Sequence, residues 1–100
     1  MSIWELSDSD ILRTSADGYA SGLYTKAEAV GGMIGALERT SDFRVLWAEV
    51  PDWAQSEIWT FLKGCDATTI LYDFSSGKEG VIPSSLIELK DWLVQQFGWN

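Results

Sequence analysis

Few residues of this 100-residue chain have side chains suited to catalysis, and histidine is absent from it altogether. A catalytic triad built on histidine is therefore impossible, and the usual general base and metal ligand is missing. The chain has one cysteine, Cys65, which follows a predicted helix end. The nearest basic residue in sequence is Lys63. Nucleophilic cysteines are usually activated at a helix N-terminus or by a histidine, so we expect an inert, buried thiol.

The acidic residues are scattered singly rather than paired as in an acid–base site. Glu88 and Asp91 face away from the leucine stripe of a predicted helix, which indicates a solvated outer face. Asp8-Ser9-Asp10 resembles the start of a calcium loop, but the glycine and final glutamate are missing at the required positions. The glycines of 31–35 lack the Gly-Lys-Ser/Thr of a phosphate-binding loop. We predict no catalytic residue, no metal and no cofactor, and hence that the protein is not an enzyme.

The formal net charge is −8 at pH 7, from fifteen acidic and seven basic side chains. Nucleic acids and anionic membrane surfaces are bound chiefly by lysine and arginine, so we expect neither as a direct partner. A basic protein is the electrostatic complement, although such a charge also serves ordinary solubility. The segment 1–6 has no basic and apolar pattern of a secretory signal and Cys65 has no partner cysteine, so we expect a cytoplasmic location.

Length and apolar content predict a single domain over residues 1–100, a mainly α, compact bundle of four or five short helices. Side chains suited to capping stand before each helical segment. The first helix follows the caps of 7–10 and ends at Gly18 or Gly22, and a capping box of Thr25 and Glu28 opens a second helix over 26–39. Further segments are an amphipathic helix from Asp42 to a stop at Pro51, a helix from Asp52 to about Lys63, and a final helix over 85–97 closed by Gly98.

Two regions leave local questions open. Gly31 and Gly35 share one face of the second helix, beside Gly32, and their cost in a helix indicates that a neighbour packs closely there. Residues 67–74 are rich in β-branched and aromatic side chains, yet Asp66 could cap a helical turn. We interpret this segment as a short helix or irregular structure, with a small β-hairpin around 67–82, pairing with Val81 and Ile82, as the alternative.

Six tryptophans are too many for a core of this size to hide completely, since tryptophan is seldom fully buried. The helix after Pro51 turns its apolar stripe to the core and leaves Trp53 off that stripe. Trp53 is thus the predicted exposed indole, unless it folds back against Val50 or the first helix. With nearby carboxylates it forms the predicted partner-binding site: Glu49, Asp52, Trp53 and Glu57.

The segment Gly22-Leu23-Tyr24-Thr25-Lys26-Ala27-Glu28-Ala29, together with size, charge and helicity, resembles small acidic immunity proteins that bacteria encode beside polymorphic toxins. The resemblance implies a protein that binds and blocks a cognate toxin, often a basic nuclease. Our leading hypothesis is accordingly a non-catalytic inhibitor of a basic partner. The alternative is a structural or self-associating helical domain, including a homodimer, and a lesser alternative is a nucleic-acid mimic whose carboxylates imitate phosphates.

Overall fold

The structure is a computed structural model that describes residues 7–73 and 77–99. Over these ranges the chain forms five helices and one two-stranded antiparallel sheet, which confirms the mainly helical class. Contacts divide the chain into two units, the first ending at Ile58 and the second beginning at Trp59. The elements are α1 (Asp8–Ala20), α2 (Lys26–Arg39), α3 (Phe43–Trp47), α4 (Asp52–Leu62), β1 (Ile70–Asp73), β2 (Lys78–Val81) and α5 (Ser84–Phe97).

Reciprocal capping boxes begin the first two helices. Ser7 Oγ accepts from the Asp10 amide at 3.1 Å, while the Asp10 carboxylate accepts from the Ser7 amide at 3.4 Å. Thr25 and Glu28 make the same pair of bonds, at 3.1 and 2.9 Å, and α2 has the predicted bounds. Each box satisfies backbone amides that a helix start leaves without an intrahelical acceptor, so both predicted helix starts are confirmed.

The first helix ends at Ala20, and of the two predicted terminators it is Gly22, and not Gly18, that follows its end. Gly22 has φ +82°, a left-handed conformation that glycine adopts without strain, and the Leu23 amide donates to the Gly18 carbonyl at 2.8 Å. Gly18 lies inside α1, where a Cβ would overlap with the Tyr24 ring. Its glycine therefore serves packing and not helix termination.

The close approach predicted at Gly31 and Gly35 occurs instead at Gly32. A Cβ on Gly32 would overlap with Ser15 Oγ of α1, whereas one on Gly31 would meet nothing within 4 Å. The predicted face was wrong because Gly31 lies about 200° around the helix from the buried Ala29, at roughly 100° per residue. Gly32 borders the buried face, and α1 crosses α2 there.

This difference gives a matched pair of substitutions on adjacent residues. Gly31→Ala is expected to raise the free energy of unfolding by about 0.5–1 kcal/mol, because alanine favours helix and meets open space. Gly32→Ala is expected to be less stable than Gly31→Ala by about 1–2 kcal/mol, because the new Cβ displaces Ser15 Oγ, which donates to the Ile11 carbonyl at 2.9 Å. Urea unfolding of both variants measures the two effects. Equal stability of the two variants would contradict the placement of α1 against Gly32.

A short helix and a sharp corner precede α4. Asp42 caps α3, its carboxylate accepting from the Arg44 amide at 3.0 Å. The helix ends at Trp47 and not near Val50 as predicted, although Leu46, Trp47 and Val50 are all buried. The Pro51 carbonyl accepts from the amides of residues 54 and 55, so α4 follows immediately, and Asp52 is its first residue rather than its cap.

The strands β1 and β2 pair as a β-hairpin, so our preferred interpretation of 67–74 as helical or irregular was wrong over Ile70–Asp73 and the alternative is confirmed, while residue 74 lies outside the described residues. Ile70 lies opposite Val81 and Asp73 opposite Lys78 in antiparallel register. Asp66 does cap, but it holds a turn through the Thr68 amide at 2.8 Å and does not start a helix. A four-residue strand is not stable alone. The β-branched and aromatic residues of this segment form a strand because it pairs with a second one.

The last helix buries its predicted leucine stripe. Leu86, Leu89 and Leu93 are fully buried, and Gly98 ends the helix with φ +67°. Phe97, predicted on the same face, is 48 % exposed, and its ring lies 5.1 Å from that of Trp99. Across residues 7–73 and 77–99, no helix has the length and apolar character needed to cross a membrane.

Candidate functional site

The start of α4 places Trp53 against the first helix. The Trp53 indole is half-buried, and its ring centroid lies 4.7 Å from that of Tyr19, with the planes inclined by 42°. Tyr19 itself is 37 % exposed. The indole therefore takes the predicted alternative of folding against the first helix, while the pair as a whole reaches the surface.

Two of the predicted carboxylates lie on the same helix as Trp53. Asp52 is exposed beside Trp53, and Glu57 is exposed one helical turn after it, on the same side of α4. Glu57 Oε1 lies 3.3 Å from Lys26 Nζ at the start of α2. Both partners of this ion pair are about half exposed, so it contributes at most about 1 kcal/mol to stability. We call Tyr19, Lys26, Asp52, Trp53 and Glu57 the α4 patch.

Glu49 is exposed, and its carboxylate bonds to the first helix. Its Oε1 accepts from Ser9 Oγ at 2.6 Å, near the start of α1. Ser9 precedes Tyr19 by ten residues, which corresponds to about 15 Å along a helix at 1.5 Å per residue. Trp53 and Glu57 thus share one side of α4, Asp52 is the first residue of that helix, and the Glu49 carboxylate is bonded to α1.

Sequence reasoning missed Tyr19 and Lys26. Each meets its partner across 31 or more residues of chain, and neither stands in a motif that announces such a contact. The acidity of the patch was consequently overestimated, because Lys26 compensates the charge of Glu57.

The other tryptophans that the structure describes are also partly or fully buried. Trp47 is 2 % exposed, and Trp4 lies outside the described residues. In the second unit an aromatic cluster joins Trp59 to Trp99 at 5.5 Å between ring centroids, and Phe97 touches both Trp99 and Trp92. Half-buried indoles of this kind combine core packing with a polar edge in water.

Negative charge is concentrated in the first unit. Residues 1–58 carry ten acidic and four basic side chains, whereas residues 59–100 carry five acidic and three basic side chains.

The Thr25 amide and hydroxyl, which bond to Glu28, hold the pKa of that carboxyl below its ordinary value. Hydrogen bonds from Arg44 and from Thr68 lower the pKa values of Asp42 and Asp66 in the same way. These carboxylates are ionised at neutral pH.

The capping box makes a pH-dependent contribution to stability. Since the folded-state pKa of Glu28 is lowered, its contribution is complete above about pH 4.5 and is lost as the pH falls through the folded value. The difference in free energy of unfolding between the wild type and Glu28→Gln should therefore shrink on acidification. Urea unfolding at pH 7 and pH 3 measures it, with Glu38→Gln on the same helix as control. A difference that grows at pH 3 would contradict the capping role.

The Cys65 thiol is buried and bonded within its own segment. Its Sγ donates to the Phe61 carbonyl at 3.3 Å, and the Lys90 ammonium donates to the Cys65 carbonyl. Serine can keep the same bond, so Cys65→Ser is expected to leave partner binding unchanged and to cost less than about 2 kcal/mol of stability. Calorimetry of binding and urea unfolding check the two statements. Loss of binding in a folded variant would give the thiol a role.

The remaining polar residues show no assembled chemistry. Glu88 and Asp91 are exposed on α5, as expected of an outer face. In the ranges that the structure describes, no group of three or more potential metal ligands converges. Comparisons of the chain with protein-family models, with curated proteins and with solved structures found no match.

Proposed function

We propose that this chain is a non-catalytic protein-binding module of the inhibitor or immunity type, which neutralises a basic partner protein through acidic and aromatic surface. The observation that carries the proposal is the α4 patch, where Trp53 packs on Tyr19 and the exposed Asp52 and Glu57 lie on the same helix as Trp53. Tryptophan and tyrosine are the side chains that most often anchor protein interfaces, and carboxylates at the rim steer a basic partner.

The charge distribution supports the same orientation. The unit that contains the patch holds most of the net negative charge. The electrostatic potential that attracts a cationic protein is therefore most negative around that unit. In the free protein, the Lys26 ammonium forms an ion pair with the Glu57 carboxylate. An arginine of the partner can replace Lys26 in this pair, because a planar guanidinium binds a carboxylate with two hydrogen bonds. Glu49 adds an exposed charge elsewhere on this unit and acts on encounter rather than on the anchor.

The resemblance to immunity proteins supports the class of partner. Size, acidity and helicity are the shared features, and they imply a toxin, often a basic nuclease, as the protein that is blocked. A partner that binds DNA without being a toxin would instead favour the nucleic-acid mimic.

Affinity purification with variants tests the proposal. Tagged wild type and the variants Trp53→Ala and Trp59→Ala are each used to capture partners from host extract. Trp59 is the matched control, since it is a half-buried tryptophan on the same helix outside the patch. We expect a basic protein in equal molar amount with the wild type and Trp59→Ala, and its loss with Trp53→Ala. An acidic partner, or equal capture by all three, would contradict the proposal.

A self-associating domain is the second candidate, favoured by the exposed face of the hairpin. Ile70, Tyr72 and Val81 are each at least half exposed and project from one face, because alternate residues share a face and Ile70 lies opposite Val81. Sedimentation equilibrium distinguishes the candidates. A dimer whose dissociation constant is unaffected by salt, and which Val81→Lys dissociates, would support this function over the first.

A further inference from the structure

A cleft of about 410 Å³ lies between α1 and α2 in the first unit, separate in its residues from the α4 patch. Its volume falls in the range of clefts that take small molecules, about 300–1,000 Å³. Buried Ser15 and half-buried Ile11 lie deeper in it, and three exposed side chains surround them. The lining residues are Ile11, Thr14, Ser15, Tyr24, Glu28 and Gly32.

Two glycines shape this cleft before any ligand arrives. The Tyr24 ring lies where a side chain at residue 18 would stand, so Gly18 allows the ring to rest on α1. The Tyr24 amide donates to the Gly18 carbonyl at 3.0 Å, which fixes the backbone beneath the ring. On the other side, Gly32 lets Ser15 approach α2. An aromatic wall held in this way does not have to be ordered on binding, which favours affinity.

The charge of the cleft comes from Glu28. Its Oε1 accepts from the Thr25 amide at 2.9 Å, and a carboxylate has a second oxygen with further acceptor sites. The cleft thus offers an ionised carboxylate next to a tyrosine ring that is 39 % exposed. A cation over an aromatic face and beside a carboxylate gains from both.

We propose that this cleft receives an arginine side chain of the basic partner, with the guanidinium between the Tyr24 ring and the Glu28 carboxylate. Arginine is favoured over lysine because its planar group stacks on an aromatic ring and meets a carboxylate with a fork of donors. Ile11 and Thr14 provide contacts for the methylene stem. The inference rests on the proposed function only for the source of the arginine.

Titration with a minimal ligand tests the cleft without the partner. N-acetyl-arginine methylamide is added to the ¹⁵N-labelled protein at low salt, and N-acetyl-citrulline methylamide serves as the uncharged ligand of the same shape. We expect saturable shifts at the amides of 11–15 and 24–32, with arginine at least about fivefold tighter than citrulline, as charge-assisted bonds require. Tyr24→Leu and Glu28→Gln should each weaken arginine binding about threefold or more, whereas Tyr24→Phe should retain it.

Matched controls come from residues outside the cleft. Tyr72→Leu in the hairpin and Glu38→Gln at the far end of α2 should bind arginine as the wild type does, and the ¹⁵N spectrum of each variant verifies its fold. Equal binding of citrulline and arginine, shifts outside the cleft, or no binding would overturn the inference. None of these results touches the capture experiment, so a basic partner lost with Trp53→Ala would still support the proposed function. If the protein binds arginine but captures no basic partner, the inference about the cleft stands and the proposed function is contradicted.

Discussion

Replacing Trp53 with alanine is expected to weaken binding of the basic partner by about 2 kcal/mol or more, roughly thirtyfold in dissociation constant. The indole packs on Tyr19 at 4.7 Å, and removing it leaves the exposed phenol without its neighbour and the patch without its largest apolar surface. Because Trp53 is half-buried, the substitution should also lower the free energy of unfolding, by about 0.5–1.5 kcal/mol from the aromatic pair.

Isothermal titration calorimetry with the captured partner measures the loss of affinity, at a temperature where urea unfolding shows both proteins folded. Trp59→Ala should lose stability while it keeps wild-type affinity, since its ring packs on Trp99 in the second unit. If the two variants lost affinity equally, the effect would come from stability and Trp53 would have no part in the interface.

Leu89→Ala is expected to have the largest effect on stability, a loss of about 2–5 kcal/mol. Leu89 is fully buried on α5, so truncation removes buried methyl groups and leaves a cavity. Such a loss is a large fraction of the roughly 5–15 kcal/mol that stabilises a typical small domain.

Val94→Ala on the same helix is the control, because Val94 is 39 % exposed and its truncation should cost less than about 1 kcal/mol. Urea unfolding followed by circular dichroism measures both variants. Equal effects at the two positions would contradict the assignment of Leu89 to the buried stripe.

Features that depend on three or four neighbouring residues could be predicted from the sequence. The capping box of Thr25 and Glu28 and the glycine after the last helix are local, so α2 and the end of α5 lie where the pattern predicts. The hairpin was harder, because four strand residues are stable only through pairing with a second strand, and Ile70 pairs with Val81 across the turn. The face of Gly32 was also missed, since spacing between glycines says nothing about where α1 crosses.

The candidate site shows the same limit. The location of Asp52, Trp53 and Glu57 on one helix was predictable, because the capping and apolar pattern after Pro51 is local. Tyr19, Lys26 and the bond from Ser9 to Glu49 depend on how the first two helices lie against the α3–α4 corner. Periodicity gives the face of a helix and not the identity of the neighbour on it. The cleft beside Tyr24 likewise depends on two glycines on different helices.

If the acidic surface of the first unit attracts and binds a basic protein, the association rate constant must depend on ionic strength. Measuring that rate constant against salt concentration is therefore the most direct test. Stopped-flow fluorescence with the captured partner gives this rate for the wild type and for the double variant Glu49→Lys, Glu57→Lys. We predict that the wild-type rate falls steeply between about 20 and 500 mM salt, over which the Debye length shrinks from about 20 Å to about 4 Å. The double variant should associate at least about tenfold more slowly at low salt. A wild-type rate that does not change with salt, or a double variant that associates as fast as the wild type, would contradict the claim.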